Sequence, residues 1–396
     1  MGLSIYDSTT LLNTISDGDI NPDSYAQLSA AQQLPLLRIV ETGRGLQKTE
    51  TSDYTRWGLG FATMEGATYG TQYRGAMQRS TPRAGKKLAL RLSKHENSGE
   101  AYDVDEISSH RATTTQFTDF LKSIQDQNNL DIAYYTERKL MGVPQDTSDE
   151  YGVHGVMTWL QPKRNSSAVI QANTTGGFNG DRVLYADGTT HSTTLAEVDR
   201  SQDAYAKYRN YNQSIGTEID DDTILAIRKA LRVTGFNKLS FASERVSTGN
   251  LKNIASQDPH DYVNRQETGN RLLCGPTDFD ALNTFVEMNA SDDSTGDALK
   301  FGKKKVVGLM TEYTPLLDST HELYMDGEGT IYPTSPMYLV NWSKWLLCKN
   351  GEMWKPGPYM PDPQNPTYQV IRQRRFTFNL RPKNDLRMAG ACFYRV

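Results

Sequence analysis

Several stretches carry residue types that chemistry uses, and their spacing decides what each can do. GDALKFGK, Gly296 to Lys303, has the glycines and lysine of a phosphate loop. It places five residues between the glycines, and Lys304 stands where Ser or Thr would hold Mg²⁺. Gly58 and Gly60 begin a dinucleotide fingerprint, but Thr63 replaces its third glycine. Asp326-Gly327-Glu328-Gly329 and the stretch from Ser291 to Asp297 resemble calcium loops without the ligand register that ends in Glu. His321-Glu322 has no second His four residues on, which excludes a zinc-protease helix, and no G-x-S-x-G turn offers a nucleophile. Asp220, Asp221 and Asp222 lack a His or a second acidic cluster at matching spacing, so a helix start is the better reading than a metal site. The six histidines are scattered singly, and no acid–base pair emerges. We expect no catalytic residue, no metal and no cofactor.

Charge is distributed more tellingly. Between Ala67 and His95 lie Arg74, Arg79, Arg83, Lys86, Lys87, Arg91 and Lys94, with no acid among them. The same stretch reads as a hairpin, with strands at Tyr69–Met77 and Leu88–Leu92 around a turn-rich segment from Ser80 to Gly85. A basic, weakly apolar hairpin is a poor core element and is suited to touching an acidic surface. A solvated hairpin whose charges only keep a strand edge from aggregating is the plainer alternative. Glu96, Glu100, Asp103, Asp105 and Glu106 follow at once. A basic lobe beside an acidic one on the same chain suits contact between copies, and the seven basic residues are the candidate subunit contacts. A second basic group, Arg372, Arg374, Arg375, Arg381, Lys383, Arg387 and Arg395, alternates with Phe376, Phe378, Phe393 and Tyr394. That alternation is mainly the mark of a half-buried strand, with a nucleic-acid patch as the other reading.

Composition limits the setting of these stretches. The 396 residues suffice for two or three domain-sized units. Only 37% are apolar and mean hydropathy is −0.62, so extended arms, or a core completed by neighbouring subunits, are expected. A formal net charge of −4 shows no global basic bias. Cys274, Cys348 and Cys392 match no CxxC spacing and suggest buried thiols in a reducing compartment. No run of eighteen apolar residues offers a membrane span, and no membrane partner is expected.

The longest element is a helix expected from Ala112 to Met141. Phe117, Phe120, Leu121, Ile124, Ile132 and Tyr135 recur at three- and four-residue steps, and Leu130, Tyr134 and Met141 form a second line. Thr113 with Gln116 suits a capping box, Arg138 and Lys139 suit the C-terminal end, and Gly142 then Pro144 stop it. At ~1.5 Å per residue it would be a rod of roughly 45 Å, either an ordinary core helix or a backbone on which other elements hang. Residues 1 to 56 are too polar to bury a core of their own and read as an arm. Gly152–Pro162 reads as a short strand, and 163–215 is rich in Asn, Thr, Ser and Gly. A helix follows Asp220 to Asp222, with Ile224, Ile227, Ala230 and Leu231 on one face. Strand, turn and helix recur through LLCGPTDFDALNTFV, with Pro276 just inside the helix. Val306–Met310 and Met337–Leu347 read as strands, Pro356 to Pro366 as a surface crossing, and the last two segments as terminal strands.

In this order of parts the chain resembles the major capsid proteins of tailed bacteriophages, whose fold is shared with the herpesvirus capsid floor and with encapsulins. The resemblance runs from about Trp57 to Val396. It is carried by TERKLMG (Thr136 to Gly142), DDDTILAIRKALRVTGF, and LLCGPTDFDALNTF with the GKKKVVGL strand. It implies an α+β fold: an N-terminal arm (1–56), an extended hairpin loop (57–110), and a peripheral domain (111–231) with the spine helix 112–141 and an insertion at 163–215. An axial domain (232–350) and a return to the peripheral domain (351–396) would complete it. The implied function is a structural subunit assembling into hexamers and pentamers of an icosahedral head, made in the host cytoplasm and found in the virion. Portal, scaffold or decoration proteins would be partners, and packaged DNA would be touched weakly and without sequence preference. An encapsulin-type shell protein and an uncharacterised soluble enzyme are the alternatives.

Overall fold

The structure, a computed structural model, describes residues 34–42, 46–52, 54–58, 87–92, 96–103, 114–149, 152–234, 270–289, 305–306, 309–365, 369–383 and 386–396. Helix α1 (Pro35–Thr42) leads to strands β1 (Gln47–Thr49), β2 (Tyr54–Gly58), β3 (Lys87–Arg91) and β4 (Glu96–Asp103), then to the long helix α2 (Thr114–Met141). A single helical turn, α3 (Val156–Trp159), precedes β5 (Gly177–Gly180). Two small ribbons pair β6 (Val183–Leu184) with β7 (His191–Ser192) and β8 (Thr194–Leu195) with β9 (Val198–Asp199). Strand β10 (Asn210–Ser214), helix α4 (Asp221–Thr234), β11 (Asn270–Cys274), helix α5 (Pro276–Asn289), β12 (Lys305–Val306) and β13 (Leu309–Tyr313) follow. The chain ends with β14 (Thr334–Asn341), β15 (Trp345–Pro361), β16 (Gln369–Pro382) and β17 (Gly390–Arg395).

Two sheets organise these elements. The larger has seven strands in the order β12-β13-β11-β14-β17-β10-β5, and the smaller has four in the order β1-β15-β16-β4. Strand alternation explains how the larger sheet serves two cores at once. Leu272, Cys274, Met337, Leu339, Ala391 and Phe393 face Ile224, Ile227, Ala230 and Leu231 of α4 and Leu282 of α5. Their neighbours Leu273, Tyr338, Val340, Cys392 and Tyr394 belong to the main core, with α1, the end of α2 and one face of the smaller sheet. Asp220 caps α4 by accepting the Thr223 N–H at 2.8 Å, so the three aspartates begin a helix as expected.

Several segments differ from the sequence expectation. Gly152–Pro162 holds the helical turn α3 rather than a strand, and a short buried apolar run does not distinguish the two by pattern. The Gly155 N–H donates to the Gly142 carbonyl at 3.0 Å, and a Cβ there would lie 2.5 Å from the Met141 backbone carbon, so the chain turns tightly against the end of α2. Val306–Met310 is divided between β12 and β13, which pair antiparallel. Met337–Leu347 is not one strand either. A 3₁₀ turn at Trp342–Lys344 hands the chain from the seven-stranded sheet to the four-stranded one, and Trp342 and Trp345 are both buried at the crossing.

The proline-rich stretch is a strand over most of its length. β15 runs through Pro356, Pro358 and Pro361, paired with β16, with register shifts between Asn350 and Lys355 and between Pro356 and Tyr359. Its other neighbour, β1, covers only Leu347 to Lys349, so among the described residues the prolines fall where that side of the strand has no paired strand. The stretch 163–215, expected as an insertion, supplies β10 to the interior of the seven-stranded sheet, between β17 and β5. Its polar residues are used internally: Asn173 Nδ2 donates to Asn212 Oδ1 at 2.7 Å, and Asn210 Nδ2 donates to the Gln161 carbonyl at 2.9 Å.

Helix α2, 28 residues from Thr114 where about thirty from Ala112 were expected, ends at Met141 as expected, but its buried face is partly polar. Gln125, Asn128, Thr136 and Glu137 are buried beside Ile132, Ala133, Leu140 and Met141, while Ile124, Leu130, Tyr134 and Tyr135 are only half-buried. Each of three polar members has a partner suited to it. Gln125 donates to the Tyr359 hydroxyl at 3.1 Å, Thr136 to the Ile132 carbonyl at 2.8 Å, and Glu137 accepts from the backbone of α1. The first turns, with Phe117, Phe120 and Leu121, carry no described side chains.

Candidate functional site: the root of the basic ribbon

β2 and β3 pair antiparallel, Tyr54 with Arg91 at one end and Gly58 with Lys87 at the other. The chain between them, residues 59–86, therefore leaves and returns at the Gly58–Lys87 end. Arg74, Arg79, Arg83, Lys86 and Lys94 lie outside the described residues, as does the strand expected at Tyr69–Met77. Lys87 closes the far end of the ribbon in the backbone register. Arg91 stands at the near end, its guanidinium 5.5 Å from the centre of the Tyr54 ring. Arg56 reaches the same ring at 5.8 Å, which puts two guanidinium groups around one exposed tyrosine.

The inward face of this ribbon is fixed by buried polar groups. The Thr55 hydroxyl donates to Glu50 Oε1 at 2.8 Å and accepts from Arg381 Nε at 2.9 Å, with Cys348 Sγ at 3.2 Å. The Arg381 guanidinium lies 4.5 Å over the Trp57 ring. Burial works to raise the Glu50 carboxyl, but hydrogen bonds from Lys48 and Thr55 and the charges of Lys48 and Arg381 outweigh it and hold the group below the usual carboxylate range. Trp57 Nε1 donates to the Tyr208 hydroxyl at 2.6 Å, tying the ribbon to the segment before β10.

Asn379, in β16, supplies the third tie. Its Nδ2 donates to the Arg91 carbonyl at 2.8 Å and to the Gly152 carbonyl at 3.2 Å, and its Oδ1 accepts the His154 N–H at 2.9 Å. One buried amide thus holds β3, β16 and the turn after α2 together. His154 packs beside it, its Nδ1 3.4 Å from Asn379 Nδ2, and burial pushes its imidazole down to about 4 despite the opposing pull of Gly152 and Asp149.

This root was only partly foreseeable. Arg91 is the one candidate contact whose side chain is described, and it does sit at the root. Tyr54, Thr55, Arg56, Trp57, Asn379 and Arg381 were missed. The alternation of Tyr54-Thr55-Arg56-Trp57 was the available signal, but a boundary drawn between 56 and 57 cut through the strand. Four of the second basic group are engaged within the chain. Arg372 donates to the Gly357 carbonyl at 3.1 Å, Arg381 is buried at Thr55, Arg387 donates to the Ala206 carbonyl at 3.0 Å, and Arg395 grips Asp278 at 2.6 and 2.9 Å. β16 from Phe376 to Arg381 is buried on both faces, not half-buried, with Phe376, Phe378 and Leu380 on one side and Thr377, Asn379 and Arg381 on the other.

Among the described residues no group of three or more His, Cys, Asp or Glu side chains is placed to hold a metal, and no helix is long and apolar enough to cross a membrane. Burial pushes the thiols of Cys274 and Cys392 well above the usual range, which makes them poor nucleophiles. The arrangement ties separate segments together through side chains, Thr55 to Glu50 and Arg381, Trp57 to Tyr208, and Asn379 to the Arg91 and Gly152 carbonyls.

The sequence matches no family model and no curated protein. The fold does have counterparts. A chain of the Cyanophage A-1(L) capsid asymmetric unit superimposes with a TM-score of 0.55 over 92% of this chain and 93% of that one, at 13% identity. A chain of the bacteriophage PhiM1 mature capsid (TM-score 0.43, 9% identity, 89% and 86% covered) and one of an empty GTA particle capsid (0.44, 9%, 89% and 89%) are weaker likenesses. The α+β fold implied by the sequence resemblance is thus the fold found, along nearly the whole length of both chains.

Proposed function

We propose that this chain is a major capsid protein: a structural subunit that self-assembles into hexamers and pentamers of an icosahedral phage head enclosing double-stranded DNA. The observation that carries the proposal is the fold likeness to a capsid chain over more than nine-tenths of both chains. On this reading the four-stranded sheet with α1 and α2 is the peripheral domain and the seven-stranded sheet with α4 and α5 the axial domain, which moves β5, β10, α4 and β17 out of the peripheral ranges 111–231 and 351–396 expected from the sequence. The ribbon β2–β3 is the base of the extended loop, and its basic segment reaches a neighbour. Of the arm, α1 is tied to the spine helix through Glu137 and β1 pairs beside β15. Portal and scaffold or decoration proteins complete the particle, with DNA inside held by weak, non-specific contacts. The location is the virion, after assembly in the host cytoplasm.

Electron microscopy of the expressed protein, alone and together with its neighbouring genes, tests this. Closed shells or capsomer rings are expected. A chain that stays monomeric in every coexpression would end the proposal, and shells that enclose a protein cargo instead of DNA would transfer it to the encapsulins.

A further inference from the structure

Helix α4 turns one face to the larger sheet and, among the described residues, leaves most of the other open, with Lys229 Nζ on that side donating to the Thr175 carbonyl. Ile224, Ile227, Ala230 and Leu231 are buried beneath it. Asp221, Asp222, Leu225, Arg228, Arg232 and Val233 are exposed, and at 100° per residue they share one face about 140° wide. Leu225 is 55% exposed and Val233 43%, two of the few large apolar side chains so exposed among the described residues. The charges on this face are sorted along the axis. Both acids are in the first turn and both arginines in the last two, roughly 13 Å away at ~1.5 Å per residue. None of the four has an ion-pair partner among the described residues. Beside Leu225 opens a cavity of about 460 Å³, lined also by Thr174, Gln213, Ile215, Thr223 and Ala226.

A surface with an acidic end, an apolar middle and a basic end complements a copy of itself. We infer that the exposed face of α4 is a contact between copies of this chain, the acidic first turn of one seating against the basic last turns of its neighbour, with Leu225 and Val233 enclosed between them. The inference rests on the shell-subunit proposal and names the partner of one surface. Sorted charges also suit the dipole of the helix itself, and the test separates that role from the intermolecular one.

Three variants of the full chain are compared with the parent under conditions in which the parent forms particles: Asp221→Lys with Asp222→Lys, Arg228→Glu with Arg232→Glu, and all four together. Particle yield is read by sedimentation and microscopy, and folding of each variant by circular dichroism. Each double reversal sets like charges against each other across the contact and is expected to lower yield by roughly tenfold or more. The fourfold variant restores complementarity with the sign exchanged and is expected to recover most of the yield. If the charges serve only the helix dipole, the fourfold variant loses at least as much as either double, and the inference is overturned. Unchanged yield in the double variants overturns it equally. Should a reversal fail to fold, Leu225→Gln with Val233→Gln, at exposed positions, carries the test: parental yield there rejects the contact. If the parent itself forms no particles, the shell proposal fails, and failure of the α4 contact is recognised only against a parent that assembles.

Discussion

The carboxylate of Glu137 accepts the backbone N–H of Leu36 at 3.0 Å with one oxygen and that of Leu37 at 2.7 Å with the other. Both donors belong to the first turn of α1, where no intrahelical acceptor exists, and the negative charge sits at the positive end of that helix. Glu137 is fully buried inside α2. One side chain on the long helix therefore anchors a segment a hundred residues earlier, and Leu34, Leu36, Leu37, Ile39 and Val40 are buried around the tie.

Glu137→Ala should cost about 3 kcal/mol, because it removes two charge-assisted hydrogen bonds and strands two buried donors. Glu137→Gln keeps one acceptor oxygen and should cost less than half as much. Urea unfolding measures both, and limited proteolysis should show earlier cleavage near residues 43–45 in the alanine variant. Equal stability of Ala and parent would mean that apolar burial alone seats α1.

Asn379 serves three elements, and its loss should be felt in all of them. Asn379→Ala leaves the Arg91 and Gly152 carbonyls and the His154 N–H without their side-chain partner, at about 2–4 kcal/mol. Asn379→Asp retains the acceptor but not the donor and places a charge in a buried site, so it should destabilise at least as much at neutral pH. Hydrogen exchange at β3 amides should rise in both variants. A rise confined to β16 would show that the ribbon root is held elsewhere.

The two kinds of element differed in how visible they were in the sequence. α4 was legible because its apolar residues keep the 3.6-residue period and its ends carry Asp220 and the arginines. β11 with α5 was legible because Pro276 marks the junction. What was hidden is held by polar groups buried in pairs. β10 reads as loop because Asn210, Asn212 and Ser214 are polar, yet all three are buried, with Asn210 bonded to Gln161 and Asn212 and Ser214 to Asn173. The buried stripe of α2 includes Gln125 and Glu137, which no apolar periodicity can find. Trp342 and Trp345 sit in what looks like one apolar strand, and only the pairing of β14 and β15 with different partners shows the break.

Replacing Arg79, Arg83, Lys86 and Lys87 with Glu tests the reach of the ribbon. The root is fixed by Thr55, Trp57 and the Arg91 carbonyl, none of which is changed. Monomer stability should therefore stay within about 0.5 kcal/mol of the parent, while particles fail to form. Parental particle yield would remove the basic segment from the assembly contacts.

Affinity for free duplex DNA should be weak at moderate salt, since Arg372, Arg381, Arg387 and Arg395 are engaged within the chain and net charge is −4. Fluorescence anisotropy with a labelled duplex measures it across a salt series. Nanomolar binding would point to a DNA-binding protein instead of a shell subunit.

His154 makes stability depend on acidity in a defined window. Its imidazole is held at about 4 by burial, against about 6.5 in an unfolded chain. Above pH 6.5 the ring is neutral in both states and contributes no pH dependence. Between about 6.5 and 4 only the unfolded chain takes up the proton, so stability falls as pH is lowered, by up to ~1.4 kcal/mol per unit and about 3 kcal/mol in all. Below 4 the folded protein is protonated too and this contribution levels off. His154→Gln removes the titration while leaving the carboxylates in place. The parent's stability minus the variant's, measured by urea unfolding at half-unit steps from pH 7 to 4, should fall by about 3 kcal/mol as pH falls through that window. A constant difference across the whole range would mean that the buried ring is protonated as easily in the folded chain as in the unfolded one.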